Sequence, residues 1–425
     1  MKKRRILCLI FAVTLLLALV TSCAGDGGAG GGTDDAEVNL SGEIVMFTWF
    51  GDILYEEMLA VFHERNPDAT VILEQGSNSV EDYLQVQRLR FLSGENVDIT
   101  AVRPESMVDY VEAGFLFDLT GQPFLDNYEP AMINALKVDG RIYGIPCFLD
   151  TVAVFYNVDK FEEYGWEPAT NIYEFYELCQ AIRDAGYIPL MNGAADGWPI
   201  EFDVYLYFHD IIANDPTIFD RIKTGEASYT DPVFIDAFER VRDFYAMGFI
   251  GEETLGVDYG QAATAFAQQQ TIMFLHGSWL EGSFVDPETR ESILEFEYRV
   301  FPLPHNRPGE PQFASTSFHV TYSVASFTEN LDLALAWMDW LSSLEANIMM
   351  DATAGNFMPI RNFESPRTEK WADILANPNV VNFFYNEQTP GANAELIRVL
   401  QLMFLDLMTP QEAAEAVQLV QERGQ

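Results

Sequence analysis

The first part of the chain alternates strand-like and helix-like segments with short connections, and this order restricts the fold more than any other feature. Glu43–Thr48, Thr70–Leu73 and Val97–Val102 are apolar segments of strand length. A helix-like segment follows each of them, at Ile53–Arg65, Asp82–Leu92 and Pro104–Ala113. Because parallel strands are joined through helices, the alternation predicts an α/β chain with a parallel sheet flanked by helices.

The segment Thr271–Phe284, TIMFLHGSWLEGSF, joins a buried strand to a helix start through a glycine turn. Ile272–Leu275 has the pattern of a short buried strand, and Trp279 falls in the first turn of the next helix. An aromatic ring beside the free N–H groups of a helix start suits a ligand platform. The position equally suits a ring that fills the gap between strand and helix, so this segment alone leaves both interpretations open.

Further elements are predicted by caps and periodicity. Gly140–Pro146 and Val152–Asn157 are adjacent β segments, and Asn171–Ala185 is a helix capped by Asn171. Leu331–Asp351 is predicted as one long helix that ends before Gly355. A final helix begins at the capping box Thr409–Glu412.

The charge balance excludes several partners. The chain has 24 Lys and Arg against 65 Asp and Glu, a formal net charge of −41. A negative field of this size disfavours nucleic acid, anionic membrane surfaces and highly phosphorylated ligands, whereas an uncharged or cationic ligand is compatible with it. The acidity is also explained as a solubility adaptation of the surface.

The N-terminal residues are typical of an export signal. Lys2–Arg5 is a basic segment, Ile6–Val20 is an apolar run, and Val20–Cys23 resembles the lipobox of bacterial lipoproteins. We therefore expect a signal peptide at 1–22, a lipidated Cys23 and a flexible glycine-rich tether at 23–40. An uncleaved signal anchor is the alternative. Cys147 and Cys179 remain in the exported part, and the sequence leaves open whether they pair.

The sequence has no recognisable catalytic set. It contains no phosphate-binding glycine loop, no G-x-S-x-G segment and no H-E-x-x-H segment, and its five histidines are isolated from one another. We therefore expect neither an enzyme nor a bound cofactor or metal. A pair of carboxylates of the glycosidase type remains open, because 65 acidic residues give many chances for one.

Several loops that follow predicted strands carry large aromatic or charged side chains. They are Trp49, Asp52, Arg103, Asp150, Asp196, Trp198 and Trp279. In α/β sheets ligands bind beyond the carboxyl ends of the strands, so these loops are predicted to meet at one crevice. Aromatic faces stack on the C–H faces of a polyol, and charged groups bind its hydroxyls. Each tryptophan taken singly also suits a core position.

The chain resembles the sugar-binding solute receptors of ABC importers, the family that includes the maltose-binding protein. The segments that carry the resemblance span the exported part of the chain and keep the family's order. They are EIVMFTWFGD, VDIT with VDYVEAGFLFDLT, GRIYGIPCFLDTVAVFYNVDKFEEYGW, TAFAQQQTIMFLHGSWLEGSF, FPLP, ALAWMDWLSS and TAGNFMPIR. The resemblance implies a type II periplasmic-binding-protein-like fold, in which two hinge-connected lobes, each a sheet flanked by helices, hold ligand between them.

The resemblance also assigns site residues. Asp52 and Asp150 match ligand-contacting carboxylates of that family, and Trp279 matches its stacking tryptophan. Trp198 falls in the loop that carries a stacking tyrosine, and Arg103 is a looser match. Asn356 lies in a loop that borders the cleft. The late stacking aromatic of the family has only Phe383–Tyr385 as candidates here.

The sequence therefore predicts a monomeric receptor, anchored outside the cytoplasm by lipid, that passes a carbohydrate to an ABC permease. The expected lobes are 41–147 with 315–362, and 148–314 with 363–425. Alternatives left open are a sensor of the same fold for a membrane kinase or chemoreceptor, a receptor for a polyol or polyamine, and a lipoprotein glycosidase.

Overall fold

A computed structural model of the protein describes residues 40–51, 55–77, 80–286, 289, 291–318 and 320–423. The predicted signal segment 1–22, Cys23 and the tether up to residue 39 lie outside the described residues, and so does Asp52. Within the described part of the chain, no helix is long and apolar enough to cross a membrane.

Strands and helices alternate at the start of the chain, as predicted. These first elements are β1 Gly42–Thr48, α1 Glu56–Arg65, β2 Ala69–Gln75, α2 Val80–Ser93, β3 Ile99–Val102 and α3 Pro104–Glu112. The middle of the chain contains α4 Pro130–Ala135, β4 Lys137–Val138, β5 Arg141–Ile142, β6 Ile145–Pro146, β7 Leu149–Asn157, α5 Val158–Tyr164, α6 Ile172–Asp184, β8 Ile188–Leu190, α7 Phe202–Asn214, α8 Ile218–Lys223, α9 Pro232–Ala246, α10 Tyr259–Ala267 and β9 Thr271–Gly277.

The last third of the chain contains the remaining strands and helices. Its elements are β10 Tyr298–Pro302, β11 Ala314–Phe318, β12 Thr321–Val324, α11 Leu331–Leu341, α12 Leu344–Ala354, α13 Thr368–Leu375, β13 Val380–Val381, α14 Phe384–Glu387, α15 Pro390–Phe404 and α16 Pro410–Arg423. Short 3₁₀ helices lie at Pro123–Asn127, Ala194–Asp196, Trp198–Glu201, Thr254–Gly256 and Ser278–Phe284.

The described strands form two mixed sheets and one small hairpin. The first sheet has the order β2-β1-β3-β12-β6, with β1 parallel to β2 and β3, and β12 antiparallel to its neighbours. The second sheet has the order β13-β11-β7-β9-β8, and β10 also pairs with β7. The chain passes from the first sheet to the second between β6 and β7, and returns between β11 and β12. The predicted α/β class is confirmed.

Each sheet has its own hydrophobic core. In the first core, Trp337 and Tyr55 are fully buried against β1 and its neighbours, and in the second core α7 is buried almost all round. Cys147 belongs to the first core and Cys179 to the second. Both are free thiols, and burial raises the pKa of each well above its ordinary value. The structure therefore does not pair them.

The predicted helix over Leu331–Asp351 is two helices, so that prediction is wrong. The break falls at Ser342 and Ser343, between α11 and α12. The Ser343 hydroxyl accepts the backbone N–H of Ala346 and caps the new helix. Ser342 thus ends one helix and Ser343 begins the next. Apolar periodicity alone does not reveal this break. The cap at Asn171 and the capping box at Thr409–Glu412 are confirmed.

A buried carboxylate fastens the loop after β8 to α7 and α9. Asp203 accepts the Asn192 side-chain N–H at 2.6 Å and the Tyr245 hydroxyl at 2.9 Å. Burial disfavours its charged form and raises the pKa of Asp203 to about 7, although both hydrogen bonds oppose the rise. The loop that follows Asn192 carries Trp198, so this carboxyl group supports one of the predicted site residues.

We expect Asp203→Asn to change how stability depends on pH. Between pH 4 and 7 the folded protein keeps a proton on Asp203 that the unfolded chain has released, so the free energy of unfolding falls as pH rises, by up to about 1.4 kcal/mol per pH unit. Asparagine removes this contribution. The variant should therefore gain stability relative to the wild type as pH rises from 4 to 7, as measured by urea unfolding at each pH.

The matched control is Asp236→Asn, which makes the same change on the exposed face of α9. If the free energy of unfolding changes with pH in the same way in the wild type and in Asp203→Asn, this carboxyl group does not titrate between pH 4 and 7.

Candidate functional site

Two predicted tryptophans lie together beside the second sheet. The ring centroids of Trp198 and Trp279 are 6.2 Å apart, with an angle of 47° between the ring planes. Trp279 lies in the 3₁₀ helix that directly follows β9, as predicted, and Trp198 begins the 3₁₀ helix after the β8 loop. Because β8 and β9 are parallel neighbours, their carboxyl ends bring these two loops to the same edge of the sheet.

The Trp279 ring is folded over the backbone of its own turn. A Cβ atom built on Gly277 would lie 2.1 Å from the Trp279 ring atom Cζ3 and 2.2 Å from Cη2. Only a residue without a side chain leaves room for the ring at this distance. The glycine turn that the sequence analysis singled out therefore sets the orientation of the indole.

A buried histidine lies at the centre of the aromatic group. His276 is fully buried, with its ring centroid 5.3 Å from those of both Trp198 and Trp279, and Tyr259 stacks on it at 4.9 Å. Its Nδ1–H points to the Gly277 carbonyl oxygen 3.3 Å away. Burial lowers the pKa of His276 to about 3, so the ring is neutral and adds no charge beside the tryptophans.

Asp150 joins three separate segments at the start of β7. Its Oδ1 atom accepts the Ser278 hydroxyl at 2.8 Å and the Asn356 side-chain N–H at 2.7 Å. Ser278 directly precedes Trp279, and Asn356 follows α12, which belongs to the first core. Asp150 is fully buried, so these donors offset the cost of removing a carboxylate from water. Two predicted residues, Asp150 and Asn356, are therefore in direct contact.

A close approach of two backbones holds the Asn356 segment in place. Gly355 has a φ of +70°, and a Cβ atom there would lie 2.3 Å from the backbone nitrogen of Gly282. Gly282 lies three residues after Trp279 in the same 3₁₀ helix. The loop after α12 thus rests directly on the segment that carries the tryptophan.

Arg103 faces a different aromatic ring. Its guanidinium carbon lies 4.8 Å from the ring centroid of Tyr385, within cation–π range. Arg103 lies between β3 of the first sheet and α3, whereas Tyr385 lies in α14 and is buried in the second core. This contact therefore links segments of the two cores, and it involves Tyr385, one of the three late aromatics that the sequence offered.

The other predicted residues have local roles. Trp49 packs edge-on against Tyr83, with ring centroids 4.7 Å apart, and it also contacts Phe50. Asp196 is exposed, and its Oδ2 atom accepts the backbone N–H of Tyr259 at 2.9 Å, which ties the β8 loop to the start of α10. Asp52 lies outside the described residues.

Sequence reasoning missed several members of this group. Phe202 lies 4.8 Å from His276 and 6.0 Å from Trp279, measured between ring centroids, and Ser278 binds Asp150. The signal for Ser278 was its place between Gly277 and Trp279. Phe202 and Tyr259 carried no comparable signal, because their apolar character is equally that of core residues.

Among the described residues, no group of three or more His, Cys, Asp or Glu side chains is arranged to hold a metal ion. A surface cavity of about 450 Å³ lies between α7, α9 and the segment before β11. None of the predicted site residues is in its described lining. That lining includes both acidic and basic side chains: Asp210, Asp236, Arg240, Arg307 and Glu310. We regard the aromatic group, with Asp150 beside it, as the candidate site.

Comparisons with known proteins agree on one family. Residues 48–348 match the family described as bacterial extracellular solute-binding protein. The multiple sugar-binding protein of Streptococcus mutans is 21% identical over 305 residues, 69% of this chain and 69% of that protein. A solved chitin oligosaccharide binding protein matches with a TM-score of 0.77 at 21% identity, covering 90% of this chain and 98% of its own.

A second solved structure is the solute-binding protein RafE in complex with raffinose. It matches with a TM-score of 0.75 at 18% identity and covers 90% of this chain and 99% of its own. At these identities the two solved structures establish a shared fold.

We expect Gly277→Ala to displace the Trp279 ring, because the added methyl group would overlap it. Overpacking of this kind costs about 1–3 kcal/mol of unfolding free energy. The measurements are urea unfolding and the near-UV circular dichroism of the tryptophans.

The control is Gly256→Ala, where a Cβ atom meets nothing within 4 Å. It should change stability by less than about 0.5 kcal/mol and leave the tryptophan spectrum unchanged. If the two variants have the same spectrum, Gly277 does not set the orientation of the ring.

Proposed function

The chain belongs to the bacterial extracellular solute-binding protein family, and on that premise we propose that it captures a carbohydrate and passes it to the permease of an ABC importer. The observation that carries the proposal is the pairing of Trp198 with Trp279, with their ring centroids 6.2 Å apart. Trp198 and Trp279 are both only partly buried, so the ends of these neighbouring strands present two adjacent aromatic rings of the kind that stack on sugars. The predicted type II periplasmic-binding-protein-like fold is confirmed by the shared fold with solved sugar-binding proteins.

The chemistry of the site suits an uncharged, hydroxyl-rich ligand. The indole faces of Trp198 and Trp279 are suited to stack on sugar C–H faces, and the neutral His276 in contact with both rings adds no charge there. Because Asp150 is fully buried here, its carboxylate supports the site by holding Ser278 and Asn356 in place, and a direct bond to a sugar hydroxyl requires a conformation that exposes it. The sugar names of the relatives, among them a raffinose complex and a multiple sugar-binding protein, support an oligosaccharide.

Ligand capture would work by closure of two lobes. The sequence assigned 41–147 with 315–362 to one lobe and 148–314 with 363–425 to the other, and we propose these lobes with one change. Because β11 pairs with β7 of the second sheet, we place the return crossing between β11 and β12. A ligand that contacts both lobes only when they are closed stabilises the closed form, and the permease would recognise that form.

Membership of this family places the protein outside the cytoplasm. We further propose that lipid on Cys23 anchors it to the membrane and that it acts as a monomer, with no catalysis of its own. Four further residues are proposed to contact either the ligand or the loops around it: Trp49, Asp52, Arg103 and Asp196.

We expect an oligosaccharide to raise the melting temperature of the purified protein in a thermal-shift screen. The panel contains raffinose, stachyose, maltose, chitin oligosaccharides and xylo-oligosaccharides, together with polyols and polyamines. A ligand that binds only the folded state stabilises it by about 2.7 kcal/mol at a hundredfold excess over Kd. Trp279→Ala should abolish the shift, because it removes half of the stacking surface.

The matched control is Trp166→Ala. Trp166 stacks on Tyr164 at 4.6 Å, near the end of α5 and remote in sequence from both site loops, so its loss should leave the ligand shift intact. A shift with a polyamine or a polyol, and with no carbohydrate, would contradict the proposed ligand class while leaving the fold unchanged.

A further inference from the structure

One arginine makes polar contacts with two separate segments beside the candidate site. Arg367 directly precedes α13, and its Nη2 donates to Asp351 Oδ1 at 2.6 Å and to the Asn356 carbonyl oxygen at 2.5 Å. Its Nη1 donates to Glu281 Oε2 at 3.3 Å. Arg367 lies beyond residues 48–348, the part of the chain that matches the family.

The two carboxylates of this cluster are buried and well supplied with donors. The side chains of Glu281 and Asp351 are 3% and 9% exposed. Glu281 Oε1 accepts the Tyr298 hydroxyl at 2.7 Å and the Trp371 indole N–H at 3.0 Å, and Asp351 Oδ2 accepts the Ser365 hydroxyl at 3.1 Å. Removing the arginine would leave two buried negative charges facing each other without a cation between them.

The cluster joins the first core to side chains that pack beside the second sheet. Asp351 lies at the end of α12, whose Met350 belongs to the first core. Glu281 lies between Leu280 and Phe284, and these residues share a cluster beside the second sheet with Trp371 of α13. The Arg367 guanidinium therefore binds the segment after α12 to the segment after β9.

These two segments carry the residues of the candidate site. Glu281 lies two residues after Trp279, and the Asn356 residue whose carbonyl binds Arg367 donates its side-chain N–H to Asp150. The close approach of Gly355 to Gly282 lies between the same segments. Arg367 thus constrains the tryptophan platform and the Asp150–Asn356 pair together.

We propose that Arg367 is a positioning residue of the ligand site, which holds Trp279 in register with Asp150 and Asn356 through its contacts with Glu281, Asp351 and the Asn356 carbonyl. The planar guanidinium reaches all three acceptors at once, whereas a lysine ammonium on a flexible chain is a single point charge. The inference rests on the proposed function, because it assigns Arg367 to the binding of the same carbohydrate.

The test compares Arg367→Lys with Arg398→Lys in the full protein. Arg398 makes a bidentate pair with Glu395 on the exposed side of α15, so its replacement breaks a similar ion pair far from the cluster in sequence. Two quantities are measured: the near-UV circular dichroism of the unliganded protein, and the Kd for the panel sugar that most raises the melting temperature of the wild type.

We expect Arg367→Lys to weaken sugar binding at least tenfold and to change the tryptophan spectrum. The spectral change should shrink when the same substitution is made in a Trp198→Phe background, because it arises from the Trp198–Trp279 pair. Arg398→Lys should keep Kd within twofold and leave the spectrum unchanged. Should Arg367→Lys fail to fold, Asp351→Asn keeps the shape of the cluster and should move both quantities in the same direction by less.

Three results would overturn the proposal. The first is unchanged sugar affinity and an unchanged spectrum in Arg367→Lys, and the second is a change in only one of these two quantities. The third is an equal loss of affinity and an equal spectral change in Val417→Ala, which weakens the buried core at α16, a helix that carries no predicted site residue. If no sugar of the panel binds the wild type, the proposed function fails by itself. The unliganded spectra then still decide whether Arg367 positions the tryptophan pair.

Discussion

The hydrogen bonds to Asp150 are the interaction on which the arrangement of the site depends. A fully buried carboxylate needs donors, and here they come from Ser278 after β9 and from Asn356 after α12. One donor belongs to the second sheet and the other to a loop of the first core. Satisfying this single charge therefore fixes the relative position of two parts of the chain that fold around different sheets.

The aromatic group follows from the same geometry. The antiparallel pairing of β7 with β9 places Val152 opposite Gly277, so Asp150 at the start of β7 lies beside the turn where β9 ends. The absence of a side chain at Gly277 lets the Trp279 ring fold back over that turn, and the parallel β8 brings the Trp198 loop to its side. A neutral histidine in edge contact with both rings adds no charge to this aromatic group, although the whole chain is strongly acidic.

The sequence predicted the parts of this structure that depend on local pattern. Alternating periodicity indicated the α/β class, and the loops after strands indicated Trp198, Trp279 and Asp150. The break at Ser342 was missed because two serine caps leave the apolar pattern of α11 and α12 uninterrupted. The Arg367 cluster was missed for a different reason. Glu281 lies 86 positions from Arg367 in the sequence, and among 65 acidic residues no pattern singles out Glu281 or Asp351.

The buried free thiols of Cys147 and Cys179 make the two cores separately observable. Cys147 is buried in the first core and Cys179 in the second, and burial keeps both thiols protonated. A thiol-modifying reagent can therefore reach each sulfur only when its own core opens. Labelling rates at the two positions report the opening free energy of each half of the molecule, without any engineered probe. A bound ligand that spans both halves would slow the two rates together, whereas one held by a single half would slow only one.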